Sequence, residues 1–148
     1  RAGAPSGGGA ARDGSAADPA EEEQDMSNRR RSRRVEVEVA CKAALADAGM
    51  AQIRAADAMG SCDTIVSGIM SHLTRRGLEP RRLLAEGRIR SLPTWHPWYG
   101  READATHHAV LVRGNVVVDP AARQFGHREP IVSTVADFRR RWRKVVKT

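Results

Sequence analysis

Aromatic residues are scarce in this chain: three Trp, two Phe and one Tyr make up 4% of its 148 residues. A nucleic-acid reader that stacks bases on a sheet needs such residues spread along strands, and neither that pattern nor a recognisable reader motif is present. Cysteine is scarcer still, with only Cys41 and Cys62. Two thiols allow one disulfide at most and exclude a disulfide scaffold, so free thiols in a reducing compartment are expected. No apolar run approaches the roughly 20 residues of a membrane-spanning helix, and no charged-then-apolar start marks a signal peptide. No CxxC, HxxxH or HExxH spacing exists among Cys41, Cys62, His72, His96, His107, His108 and His127. The spacings therefore give no support to a zinc site, and no metal or other cofactor is expected. There is no internal repeat. The chain also lacks an initial Met, as expected of a C-terminal piece of something longer.

What the chain has in excess is positive charge, +7 net with a pI of about 10.6. Such a balance favours anionic surfaces but says nothing about fold. The charge is unevenly placed. Residues 1 to about 28 are Gly, Ala, Ser, Pro and acid without apolar periodicity, and Arg29, Arg30, Arg31, Arg33 and Arg34 follow directly. A segment of that kind buries too little surface to offset its ordering entropy, so 1–34 reads as a disordered acidic-then-basic tail or linker, and 35–148 as the folded domain. The basic run is either a solvated linker end or a phosphate-binding or nuclear-targeting patch.

Within 35–148, Val37, Cys41 and Leu45 fall at i, i+4 and i+8, which predicts a helix over about 35–48 stopped by Gly49, with Cys41 on its buried stripe. A buried cysteine behaves as a small hydrophobe. Residues 50–59 form a short helix or loop. Cys62 is placed differently. It follows Gly60-Ser61, and Ile65, Val66, Ile69, Met70 and Leu73 repeat behind it at helical spacing up to Gly77. Ser61 is a natural N-cap, which sets the thiol in the first turn, where the helix dipole and unpaired amides favour a thiolate and can donate to an oxyanion. Residues 79–92 read as one or two strands with Gly87 at a turn. A Pro-, Gly- and aromatic-rich loop follows, and its Trp95, His96, Trp98 and Tyr99 form either a cleft wall or a lid on the core.

The segment from His107 to Phe125, HHAVLVRGNVVVDPAARQF, alternates like a half-buried hairpin. Its Gly114-Asn115 pair accepts the positive φ of a tight turn. The hairpin brings the histidine pair and Asp119 to one end of the ladder, where a carboxylate can orient an imidazole. Ser133 or Thr134 can then cap a final helix presenting Val135, Phe138, Trp142 and Val145 or Val146 inward, among arginines that form a solvated face.

A cysteine opening a helix, a histidine on one strand and an aspartate ending the next are a nucleophile, a base and an orienting group in order. Through GSCDTIVSGIMSHLTRRG and HHAVLVRGNVVVDPAARQF, about residues 62–125, the chain resembles papain-like and transglutaminase-like cysteine hydrolases of the compact form found as C-terminal toxin and effector domains in bacteria. The resemblance implies an α+β fold: a papain-like core with the catalytic Cys at the N-terminus of a helix packed on a small antiparallel sheet, and a C-terminal helix. It implies Cys62 as nucleophile, His108 as general base and acid, Asp119 as orienting carboxylate and Gln124 as an oxyanion-hole contributor. His108 is taken over His107 because the family histidine directly precedes the small-then-aliphatic strand, here Ala109 to Val112. Adjacent strand residues face opposite ways, so only one of the two can face the thiol. Two positions depart from the family: Ala121 stands where Thr is frequent, and residues 54–61 contain no counterpart of the glutamine upstream of papain's cysteine.

The implied activity is thiol-dependent hydrolysis or acyl transfer at amide bonds, as a protease, a glutamine deamidase or a transglutaminase-like enzyme. The implied partners are a protein substrate and an immunity or cognate target protein, with nucleic acid not expected. The implied setting is delivery into a target-cell cytoplasm as part of a larger secreted protein. The competing readings are a basic nucleic-acid-binding module and a catalytically inactive interaction domain.

Overall fold

The computed structural model describes residues 2–3, 18–58, 60–89, 94, 103–125 and 129–148. The aromatic positions Trp95, His96, Trp98 and Tyr99, and His127, lie outside them. The architecture is mixed α+β, a five-stranded antiparallel sheet flanked by helices.

The first helix, α1, runs Pro19–Asp47, so it starts sixteen residues before the expected position. The physical reason lies in its N-terminus. The Asp18 side chain accepts a hydrogen bond from the Ala20 amide at 3.1 Å, and Pro19 and the acidic Glu21 and Glu22 suit a first helical turn. Glu, Gln, Met, Ala and Arg are strong helix formers that need no apolar face to be helical, and pairs such as Asp25–Arg29 at 3.0 Å add support one turn apart. The absence of apolar periodicity therefore reports exposure here and not disorder: residues 19–36 are helical and solvent-facing, and burial begins only at Val37. From there the expected stripe is in place, with Val37, Cys41 and Leu45 buried beside Ala44.

A single turn, α2 (Ala55–Ala58), leads to α3 (Cys62–Arg75), which buries Val66, Ile69 and Leu73 completely. Ser61 occupies the N-cap position of α3, but its side chain makes no capping bond. At the other end Gly77 takes φ +69°, and the Leu78 amide closes back on the Leu73 carbonyl at 3.2 Å.

The strands are β1 (Arg81–Ile89), β2 (Ala103–Val112), β3 (Val116–Val118), β4 (Val132–Thr134) and β5 (Lys144–Lys147), in the order β4-β3-β2-β1-β5. β1 passes straight through Gly87, which is not a turn: a Cβ there would meet the Trp142 ring at 2.9 Å, so this glycine makes room for an indole. The β2–β3 hairpin forms as expected. Gly114 and Asn115 adopt φ +76° and +57°, and Val112 stands opposite Val116 across a three-residue turn.

The C-terminal helix is shorter than the spacing suggested. Thr134 caps α4 (Val135–Arg141) through its Oγ1, which accepts from the Asp137 amide at 3.1 Å. The chain then becomes extended at Trp142, and β5 pairs with β1 from Leu83↔Lys147 to Glu86↔Lys144. Adjacent β-branched Val145 and Val146, with an open ladder on β1, favour the strand over another helical turn.

Two clusters of apolar side chains hold the layers. On one face Val110, Val112, Val116 and Val118 meet Val37, Cys41, Leu45, Val66, Ile69 and Leu73 of α1 and α3. On the other, Leu83, Ala85, Ala109 and Val117 meet Phe138 and Trp142. Side chains of this kind each contribute roughly 1.5–3 kcal/mol when fully buried. Alternation along β2 therefore assigns its neighbours to different worlds: 107, 109 and 111 face the Trp142 side, and 108, 110 and 112 face the helices.

Candidate active site

That alternation decides between the two histidines. His107 shares a face with Ala109, is fully buried, and holds both oxygens of Asp119 at 2.7 Å from its Nε2. His108 lies opposite Leu84 on the other face, half-buried, with no side-chain bond to Asp119 among the described residues. The imidazole brought to Asp119 and Cys62 is thus that of His107, which corrects the expectation of His108. The hairpin sets the choice. A three-residue turn places Asp119 on the face of Val117 and hence of Ala109 and His107, whereas a two-residue turn would have moved it to the face of His108. Counting the turn residues, not matching a motif, was the signal in the sequence.

His108 still reaches the site, through its backbone. The ladder between β2 and β3 ends at Val110↔Val118, so on that side β2 has no strand partner at His107 and His108. The N-terminus of α3 lies there. The His107 side chain and the backbone amides of His108 and Asp63 lie close enough to the Cys62 sulfur to favour its charged form. Partial burial works against the Cys62 thiolate, yet the His107 bond, those two amides and the imidazolium charge outweigh it and hold the thiol below its ordinary value of 9.0. Burial likewise opposes charge on His107, but the Asp119 carboxylate and the thiolate prevail and raise it from 6.5 to about 9. Each group thus favours the charged form of the other, the thiol shifted down and the imidazole shifted up.

Gln124 completes the arrangement. It ends the 3-10 turn Ala122–Gln124, which follows Asp119 and the buried Pro120 and doubles the chain back, the Ala122 amide bonding the Asp119 carbonyl at 3.1 Å. Its Nε2 lies 3.1 Å from His107 Nδ1, and its Oε1 accepts from the Gly60 amide at 3.4 Å. The buried carboxamide therefore ties the loop before Cys62 to the imidazole, and α2 packs on the same turn.

Aromatic rings wall the imidazole. Trp142 stacks on it with centroids 5.0 Å apart and planes 10° from parallel, and Phe125 meets it edge-on at 4.9 Å. In sequence these two rings stand out only as packing residues; the one hint for Trp142 is a lone indole inside a run of arginines. Among the described residues, no group of three or more His, Cys, Asp or Glu side chains is arranged to hold a metal ion.

Cys41 lies elsewhere, fully buried, and burial, with Glu38 nearby, raises its thiol to about 11. A nucleophile whose sulfur is half-buried, a base bonded to it, a carboxylate fixing the base's far nitrogen and amide donors beside the sulfur can together carry out attack on a carbonyl and proton transfer to its leaving group. No protein-family model matches the chain, and no curated protein or solved structure shows significant similarity to it.

Proposed function

We propose that the protein is a thiol-dependent hydrolase or acyl transferase acting on amide bonds, a protease or a protein-glutamine deamidase, with Cys62, His107 and Asp119 as its triad. The observation that carries this reading is a buried imidazole held on Asp119 through its Nε2, beside a thiol whose acidity it raises. Cys62 Sγ attacks the amide carbon while the amides of Asp63 and His108 favour the developing negative charge nearby. His107 passes a proton to the departing nitrogen as the C–N bond breaks, and a thioester remains. Water, deprotonated by His107, then splits the thioester into a carboxylic acid and the thiol. A primary amine in place of water gives transglutamination.

Gln124 and the α3 amides supply polar donors around the reacting centre in place of a glutamine upstream of the cysteine. The resemblance described above further supports a role as a toxin or effector domain with a protein substrate. The test is alkylation by iodoacetamide followed by mass mapping. Cys62 should react far faster than Cys41, and His107→Ala should slow Cys62 alone; equal, slow labelling of both thiols would overturn the reading. Intact-mass measurement of candidate targets then separates the outcomes, since deamidation adds about one dalton, proteolysis fragments the target and acyl transfer adds the amine.

A further inference from the structure

A broad concavity lies away from the thiol. A cleft of about 1250 Å³ opens between α1, the β2–β3 turn and the start of α4. Arg30, Arg31, Arg33 and Arg34 line it from α1, Arg113 from the turn and Arg139 from α4, against a single carboxylate, Glu36. The α1 wall is exposed to solvent and faces the open cleft. Ser27, Arg30, Arg34 and Val37 recur at helical spacing and prolong, towards the N-terminus, the stripe that buries Val37, Cys41 and Leu45 against the body. Among the described residues, Arg34 alone of the six is in an ion pair, with Glu38 at 3.8 Å. Three segments remote in sequence therefore converge to concentrate guanidinium charge that repels itself unless an anion occupies the space.

We propose that this arginine cleft binds the phosphate backbone of a nucleic acid, without regard to base sequence. Guanidinium forks match phosphate oxygens in a bidentate manner. The α1 wall from Ser27 to Val37 is about 15 Å long, enough to follow successive phosphates. No aromatic ring lines the cleft, so nothing there stacks on bases and the contact reads charge alone. An acidic protein partner fits less well, because a protein interface is anchored by apolar or aromatic residues, and of the apolar lining Val37 is already buried in the core. The cleft is also independent of the thiol. The Arg113 amide bonds the Leu78 carbonyl at 2.9 Å, just past the end of α3, whereas Cys62 begins α3, about 20 Å away along that helix.

The test is fluorescence anisotropy of a labelled mixed-sequence DNA duplex of about 20 base pairs with the full chain, titrated across salt concentrations. Arg30→Glu with Arg139→Glu should weaken binding at least tenfold near 0.1 M salt, whereas Arg75→Glu with Arg81→Glu, exposed arginines outside the cleft, should change it less than threefold. The milder Arg30→Ala with Arg139→Ala should reduce the slope of log affinity against log salt by about two. Inorganic polyphosphate should displace the duplex at lower charge concentration than poly-glutamate does. No binding at 0.1 M salt, equal losses in the two reversed pairs, or equal displacement by poly-glutamate would each overturn the proposal. Neither pair should alter Cys62 alkylation, so this result and the test of the thiol stand apart.

Discussion

The two cysteines sit in opposite chemical settings within one small domain. Cys41 lies in the middle of α1, its amides spent on the helix ladder and its sulfur packed among Val37, Leu45 and the β-sheet valines. Cys62 opens α3, where the first amides have no intrahelical partner, beside the unpaired edge of β2 and the His107 imidazole. Burial raises both thiols; only Cys62 has donors that reverse the effect. Position on a helix, mid-ladder or first turn, separates the acidity of the two thiols more than burial does.

The largest break in that comparison should come from His107→Ala. It removes the bond and the charge that favour the thiolate, so alkylation of Cys62 at pH 7 should fall about a hundredfold, toward that of an ordinary thiol, with Cys41 unchanged. Gln124→Ala, which unties Gly60 from the imidazole, should cost about tenfold in the same assay while the fold survives by circular dichroism. Gly87→Ala is subtler. Its methyl group displaces the Trp142 ring, and a threefold to tenfold loss is expected although position 87 touches neither thiol nor imidazole. Cys41→Ser sharpens the contrast from the other side: Cys62 labelling is unaltered, and chemical denaturation shows a loss of about 1–3 kcal/mol from burying a hydroxyl among valines.

Acidity separates the thiols too. Cys62 should alkylate well below pH 9.0, and Cys41 should remain slow until about pH 11. His107 binds its proton more tightly folded than unfolded. Its contribution to stability is therefore complete below pH 6.5 and disappears as pH rises to about 9. In a Cys62→Ser background, which removes the opposite-signed contribution of the thiol, the melting temperature should fall across that window, and adding His107→Gln should flatten the decline.

Much of the site could be read from residue order, because its parts depend on local rules. The Ser61-Cys62 helix start and the stripe behind it follow from helical periodicity. The hairpin follows from Gly114-Asn115, and the proximity of Asp119 to the histidine pair follows from the hairpin. What local rules did not disclose was parity: which histidine faces Asp119 depends on one residue in the turn, and a family pattern was the wrong guide to it. The helical state of residues 19–34 does not follow from apolar periodicity, which those residues lack; it follows from the Asp18-Pro19 start and a helix-forming composition. The change from helix to strand after Trp142 was hidden because Phe138, Trp142 and Val145 satisfy helical spacing, and only the vacant ladder of β1, a non-local feature, favours β5.

Trp142 stands at the joint between α4 and β5, and its ring is pressed between Gly87 and His107. The strand that fixes the joint is short and lies at the sheet's edge. This makes the far edge of β1 a remote handle on the thiol. An extended peptide that competes with Lys144–Lys147 for that edge would loosen the indole and disturb His107 without approaching the thiol, so a ligand of the proposed hydrolase can be sought that mimics a strand.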